Sequence, residues 1–72
     1  MADHKEPTYR LTEIVGTSTD SVQQAVRNGI TRVGETVRHI DWFEVNEIRG
    51  TVVDGKVGQF QVTMKVGFLV EE

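Results

Sequence analysis

Three side chains carry chemistry that a plain scaffold does not need. Trp42 is the only tryptophan; an indole face offers area and polarisability to a flat heteroaromatic ring, and aromatic pairs gain about 0.5–1.5 kcal/mol beyond area burial. Tryptophan is also enriched at the centres of protein interfaces, so an oligomer anchor stands beside ligand stacking as its role. Gln61 holds a donor and an acceptor on one amide and suits the mixed edge of a pyrimidine-like ring; the competing reading is a solvated strand residue. Arg49 presents a planar guanidinium fit for a phosphate or for an ion pair, the latter with a neighbour's Glu47 or Glu44.

Other chemistries find no support. The chain has no cysteine, which removes disulfides, thiolate zinc sites and cysteine nucleophiles. His4 and His39 are far apart in sequence and unaccompanied, so no metal site is expected. Glu44, Glu47, Glu71 and Glu72 lack a pairing that implies acid–base catalysis. Gly16-Thr17-Ser18 lacks the further glycines and lysine of a phosphate loop and reads as a strand running into a helix cap. The net charge is −3, with Lys and Arg scattered, which argues against nucleic acid or an anionic membrane as partner. Residues 1–7 are polar and charged without an apolar signal region, and no stretch approaches the roughly 18 apolar residues of a membrane span. The expectation is a soluble cytoplasmic protein that is not an enzyme.

The elements that must position these groups follow from periodicity. Residues 1–7 read as a flexible tail and 8–72 as a single domain. Tyr9, Leu11, Ile14 and Val15 suggest a first strand closed by Gly16. The hydroxyls and carboxylate of Thr17 to Ser21 supply helix caps. Val22, Ala25, Val26, Gly29, Ile30, Val33, Val37 and Ile40 recur at spacings of three and four, predicting an amphipathic helix of about five turns. Gly29 and Gly34 weaken a helix by roughly 1 kcal/mol each and so suggest close backbone packing. From Trp42 to Val53 the chain is rich in β-branched and aromatic residues. Asp54-Gly55 then marks a two-residue hairpin.

The second hairpin strand is two-faced. Phe60, Val62, Met64, Val66, Phe68 and Val70 form one apolar row, and Gln59, Gln61, Thr63, Lys65 and Gly67 fill the alternate positions. The order is β-α-β-β: an α+β subunit with a three-stranded antiparallel sheet packed on one amphipathic helix. A bulge-free ladder sets Trp42 opposite Gly67, Phe43 opposite Val66, Ile48 opposite Gln61 and Arg49 opposite Phe60. That puts Arg49 on the apolar face, which points to a bulge near Asn46 to Ile48 or to a sheet end meeting another subunit. Trp42 and Gln61 then lie about 20 Å apart at strand rise. One flat ring touching both needs two subunits, or a bulge that shortens the gap. A chain of 72 residues also cannot cover so long a greasy face alone, and oligomerisation is the expected support.

Asp41-Trp42-Phe43-Glu44-Val45, Glu47-Ile48-Arg49-Gly50, Asp54-Gly55-Lys56-Val57 and Phe60 through Phe68, preceded by Gly16-Thr17-Ser18, resemble the dodecin family in order and spacing from Thr8 to Glu72. The resemblance implies a hollow spherical homododecamer that binds flavin between subunits, with FMN the first expectation, riboflavin the second, and coenzyme A a candidate second ligand. It implies that Trp42 stacks on the isoalloxazine, that Gln61 hydrogen-bonds its polar edge, and that Arg49 helps hold the FMN phosphate. The chain departs at Leu69, where many bacterial relatives have a second arginine, which bears on the preference for FMN over riboflavin. The implied role is flavin storage, buffering and photoprotection; a flavin-dependent redox enzyme and a purely structural oligomer are the alternatives.

Overall fold

A computed structural model describes residues 6–71. Of the expected tail 1–7, residues 1–5 lie outside the described residues, as does Glu72 at the end of the expected domain. The elements are β1 (Tyr9–Ser18), α1 (Val22–Val33), β2 (Ile40–Val53) and β3 (Lys56–Leu69). They form a three-stranded sheet of order β1-β3-β2, with both pairings antiparallel. This is the β-α-β-β arrangement expected from the sequence.

Two boundaries differ from expectation. Strand β1 continues past Gly16 to Ser18, because Gly16 serves the helix contact rather than a turn. A Cβ at Gly16 would collide with the Ala25 carbonyl, and one at Gly29 would come within 3.1 Å of the Gly16 Cα. These two glycines let α1 lie directly on the sheet backbone. The helix is also shorter than its apolar period suggested. It spans 12 residues, because the chain tightens after Gly34: the Glu35 N–H donates to the Arg32 carbonyl at 3.2 Å and the Thr36 N–H to the Val33 carbonyl at 3.1 Å, three-residue bonds that close the last turn. Gly34 is therefore the C-terminal cap rather than a packing site. Val37 falls in the connection, and Ile40 opens β2. At the other end Ser21 caps α1 as expected, its Oγ accepting from the Gln24 N–H at 3.0 Å.

The hairpin turn is as the sequence specifies, with Asp54 at φ 53° and Gly55 at φ 76°, the two positive values that a type I′ turn requires. Its ladder is not bulge-free. Trp42, Phe43 and Val45 keep the expected partners Gly67, Val66 and Met64, but Asn46 is an extra residue on β2, so Glu47 faces Thr63, Ile48 faces Val62 and Arg49 faces Gln61. Gly58 is the compensating extra residue on β3, restoring Val52 opposite Val57. Because alternation has period two, the Asn46 bulge moves Arg49 from the apolar face to the polar one.

The core is small. Ala25, Val62, Met64 and Val66 are fully buried, with Ile14, Val22, Val26, Ile30 and Phe60 packed around Ala25, Val62 and Met64. Helix α1 packs on β1 and β3, and β2's share of the same face is left bare. Phe43, Val45 and Ile48 are 49, 39 and 57% exposed. An open apolar groove of about 580 Å³ runs between Phe43 and the Val22–Ile30 flank of the helix. The molecule is a plank of 62 × 20 × 14 Å whose own helix shelters part of its greasy side.

Candidate functional site

The face turned away from α1 carries all three sequence-predicted residues. Trp42 stands at one end, 40% exposed. Its cross-strand partner is Gly67, and a Cβ built on Gly67 would collide with indole atoms Cε2, Cζ2 and Nε1. The missing side chain lets the ring lie down over the central strand toward β1. There it meets Tyr9, whose ring centroid is 6.3 Å away at an interplanar angle of 59°, within the range of favourable tilted aromatic pairs.

A further bulge shapes this end. Ile40 faces Phe68 and Trp42 faces Gly67, so Asp41 is an extra residue on β2. In such a bulge the extra residue escapes strict alternation. Asp41 Oδ2 accepts a hydrogen bond from the Tyr9 hydroxyl at 3.0 Å. The bond raises the Tyr9 pKa from its ordinary value, with desolvation and the Asp41 charge adding to it. Leu69 is the cross-strand partner of Tyr9 and so belongs to this end of the sheet.

Arg49 and Gln61 meet at the other end. Arg49 Nε donates to Gln61 Oε1 at 2.9 Å and Arg49 Nη1 donates to Glu47 Oε1 at 2.9 Å. Gln61 Nε2 donates onward to Gln59 Oε1 at 3.0 Å. This surface chain orients the Gln61 amide without exhausting it, since an amide oxygen has two lone pairs and an amide nitrogen two hydrogens. One acceptor site and one donor remain, the pattern that the edge of a pyrimidine-like ring needs. The Arg49–Glu47 pair is half exposed on both sides, a geometry in which an ion pair contributes at most about 1 kcal/mol.

The structure thus joins Arg49 to Gln61 and keeps Trp42 away from both. Gly67 and Gln61 mark the two rows on β3, about 20 Å apart at strand rise. The bulge does not close this gap. The expected placement of Trp42 opposite Gly67 holds, whereas Tyr9 and Asp41 were not foreseen as parts of the Trp42 setting, because they join it through β1 and a second bulge. His39 Nε2 and Arg38 Nη2 lie 2.5 and 3.7 Å from Glu71 Oε2. Among the described residues no group of three or more metal-ligating side chains gathers, and no helix is long and apolar enough to cross a membrane.

Fold and face together define a class: a small α+β subunit with a bared apolar strand on one side and a tryptophan laid over a glycine on the other. The family model described as Dodecin matches residues 8–71. A curated dodecin from Thermus thermophilus is 45% identical over 64 residues, covering 89% of this chain and 93% of that protein. Among solved structures, the dodecin from Streptomyces davaonensis is 54% identical with a TM-score of 0.91, covering 94% of this chain and all of that one. The dodecin from Streptomyces coelicolor is likewise 54% identical at a TM-score of 0.91, over 96% of this chain and 99% of that one. The chain belongs to the dodecin family.

Proposed function

We propose that this protein binds flavin, FMN or riboflavin, in clefts completed by neighbouring copies of itself within a homododecamer, and thereby stores, buffers and photoprotects it. The observation that carries the reading is the setting of Trp42: an indole spread over Gly67 and 40% exposed is a prepared platform for a planar ring. Family membership supports the choice of flavin as that ring. The bare apolar side of β2, with Phe43, Val45 and Ile48 exposed, supports self-association, because such a surface is stabilised by being removed from water at about 25 cal/mol per Å².

In this reading Trp42 of one copy stacks on the isoalloxazine. The Gln61 amide of another addresses the polar edge, held in orientation by Arg49 and Gln59. Arg49 supplies the charge for a phosphate. A bound flavin contributes a light-absorbing, redox-active ring, and an indole in van der Waals contact drains its excited state faster than side reactions proceed. The role is binding rather than turnover.

Titrating riboflavin or FMN with apoprotein tests the proposal. Flavin fluorescence is expected to be quenched at micromolar protein and to stay unquenched with Trp42→Ala. Absence of quenching by the wild type, or full quenching by the variant, overturns it. Native mass spectrometry of the freshly isolated protein reads subunit number and ligand mass together.

A further inference from the structure

We propose that Tyr9 is a positioning residue for Trp42: its hydroxyl, tied to Asp41, holds the indole in the flat pose in which its outer face can stack on a planar ligand. The ligand part of this inference rests on the flavin reading above; the conformational part stands on the structure alone. The argument starts from a problem of freedom. A tryptophan on an open sheet face has several staggered rotamers available, and opposite Gly67 no side chain on the central strand restrains it.

Three features remove that freedom. Gly67 forms the floor, because its backbone lies directly beneath indole atoms Cε2, Cζ2 and Nε1. Tyr9, standing on β1, forms a side wall at 6.3 Å and 59°. The wall is itself fastened, since the Tyr9 hydroxyl donates to Asp41 Oδ2 at 3.0 Å. Asp41 can accept that bond because it is the extra residue of the bulge between Ile40 and Trp42; regular alternation would send the neighbours of Trp42 to the opposite face. The strap therefore runs from one edge strand to the other across β3 and returns to the residue next to Trp42. A ring held this way loses little further freedom when a ligand stacks on it. One rotamer-rich side chain freed from its pose weakens binding about three- to tenfold.

Trp42 is the only tryptophan, so its anisotropy decay reports this ring alone. The test compares Tyr9→Phe, Asp41→Ala and Asp41→Asn, measuring apoprotein tryptophan anisotropy, the riboflavin Kd and the assembly mass. Tyr9→Phe and Asp41→Ala are expected to loosen the indole and to raise the Kd about three- to tenfold at unchanged mass. Asp41→Asn, whose amide oxygen still accepts from Tyr9, is expected to retain wild-type values. Wild-type anisotropy in both Tyr9→Phe and Asp41→Ala overturns the proposal, as does Asp41→Asn behaving like Asp41→Ala. If Tyr9→Phe fails to assemble, the contrast between the two Asp41 variants decides the matter. If the wild type takes up no riboflavin, the flavin reading falls while the anisotropy comparison still judges the strap.

Discussion

Arg49 faces Gln61 across the hairpin ladder and donates its Nε–H to the glutamine oxygen at 2.9 Å. Asn46 is one residue too many for a regular register. Deleting Asn46 removes the extra residue, so Val45 and Glu47 become neighbours in an unbroken ladder and Arg49 stays opposite Gln61. The deletion keeps every other side chain on its face and removes only the local bend and twist of the bulge. We expect Asn46→Ala, which keeps the count and the register, to leave Tm within about 3 °C, read by thermal unfolding.

Glu47 shares the Arg49 guanidinium that a phosphate would need, at 2.9 Å from Nη1. Glu47→Gln removes both the competitor and a like charge. We expect the ratio of FMN to riboflavin affinity to rise about two- to fivefold at low ionic strength, and the gain to shrink toward unity near 0.5 M salt, where screening is short-ranged. Paired titrations of both flavins at two salt concentrations check this.

Gly67→Ala places a methyl where the indole lies. The ring must lift, with an overpacking cost of about 1–3 kcal/mol. A red-shifted Trp42 emission, a lower Tm and weaker riboflavin quenching are expected together; an unshifted emission spectrum contradicts the placement of the ring.

The Tyr9 pKa is raised, first by the hydrogen bond to Asp41. A raised folded-state value means that the contribution of this bond is fully present below the unfolded value near 10 and is lost as pH climbs through the folded value. Tyr9 is the only tyrosine, so tyrosinate absorbance near 295 nm follows it directly. The midpoint is expected above 10 in the wild type and lower in Asp41→Ala.

Phe43→Asp puts a charge into the bare groove beside Val22, Val26 and Ile30. An unpaired carboxylate that must be desolvated on association is strongly unfavourable, so native mass spectrometry is expected to show subunits or small species in place of the wild-type assembly. An unchanged mass locates the contact between copies elsewhere.

How much of this was legible beforehand follows from which forces are local. The Asp54-Gly55 turn and the Phe60-to-Phe68 alternation are written in the chain, because turn sterics and side-chain period act over neighbouring residues. The helix end was not: Val37 and Ile40 fit the period, and what ended the helix was the change to three-residue bonds from the Glu35 and Thr36 amides after Gly34. The Arg49 register was half legible. A charged residue at apolar parity signalled a bulge near Asn46, but its position needed the partner strand. The Tyr9–Asp41–Trp42 setting was not legible, because it depends on a second bulge and on β1 lying beyond β3, a tertiary fact.

The 20 Å between Trp42 and Gln61 has a thermodynamic corollary. Under the proposed function, a guest gripped by one copy's indole and another's amide belongs to the quaternary state, so uptake and association would be reciprocal by linkage. Saturating guest would then tighten the proposed assembly, and dilution below its association threshold would release the guest without any hinge or lid. Discharge would in that case be set by protein abundance, through mass action alone.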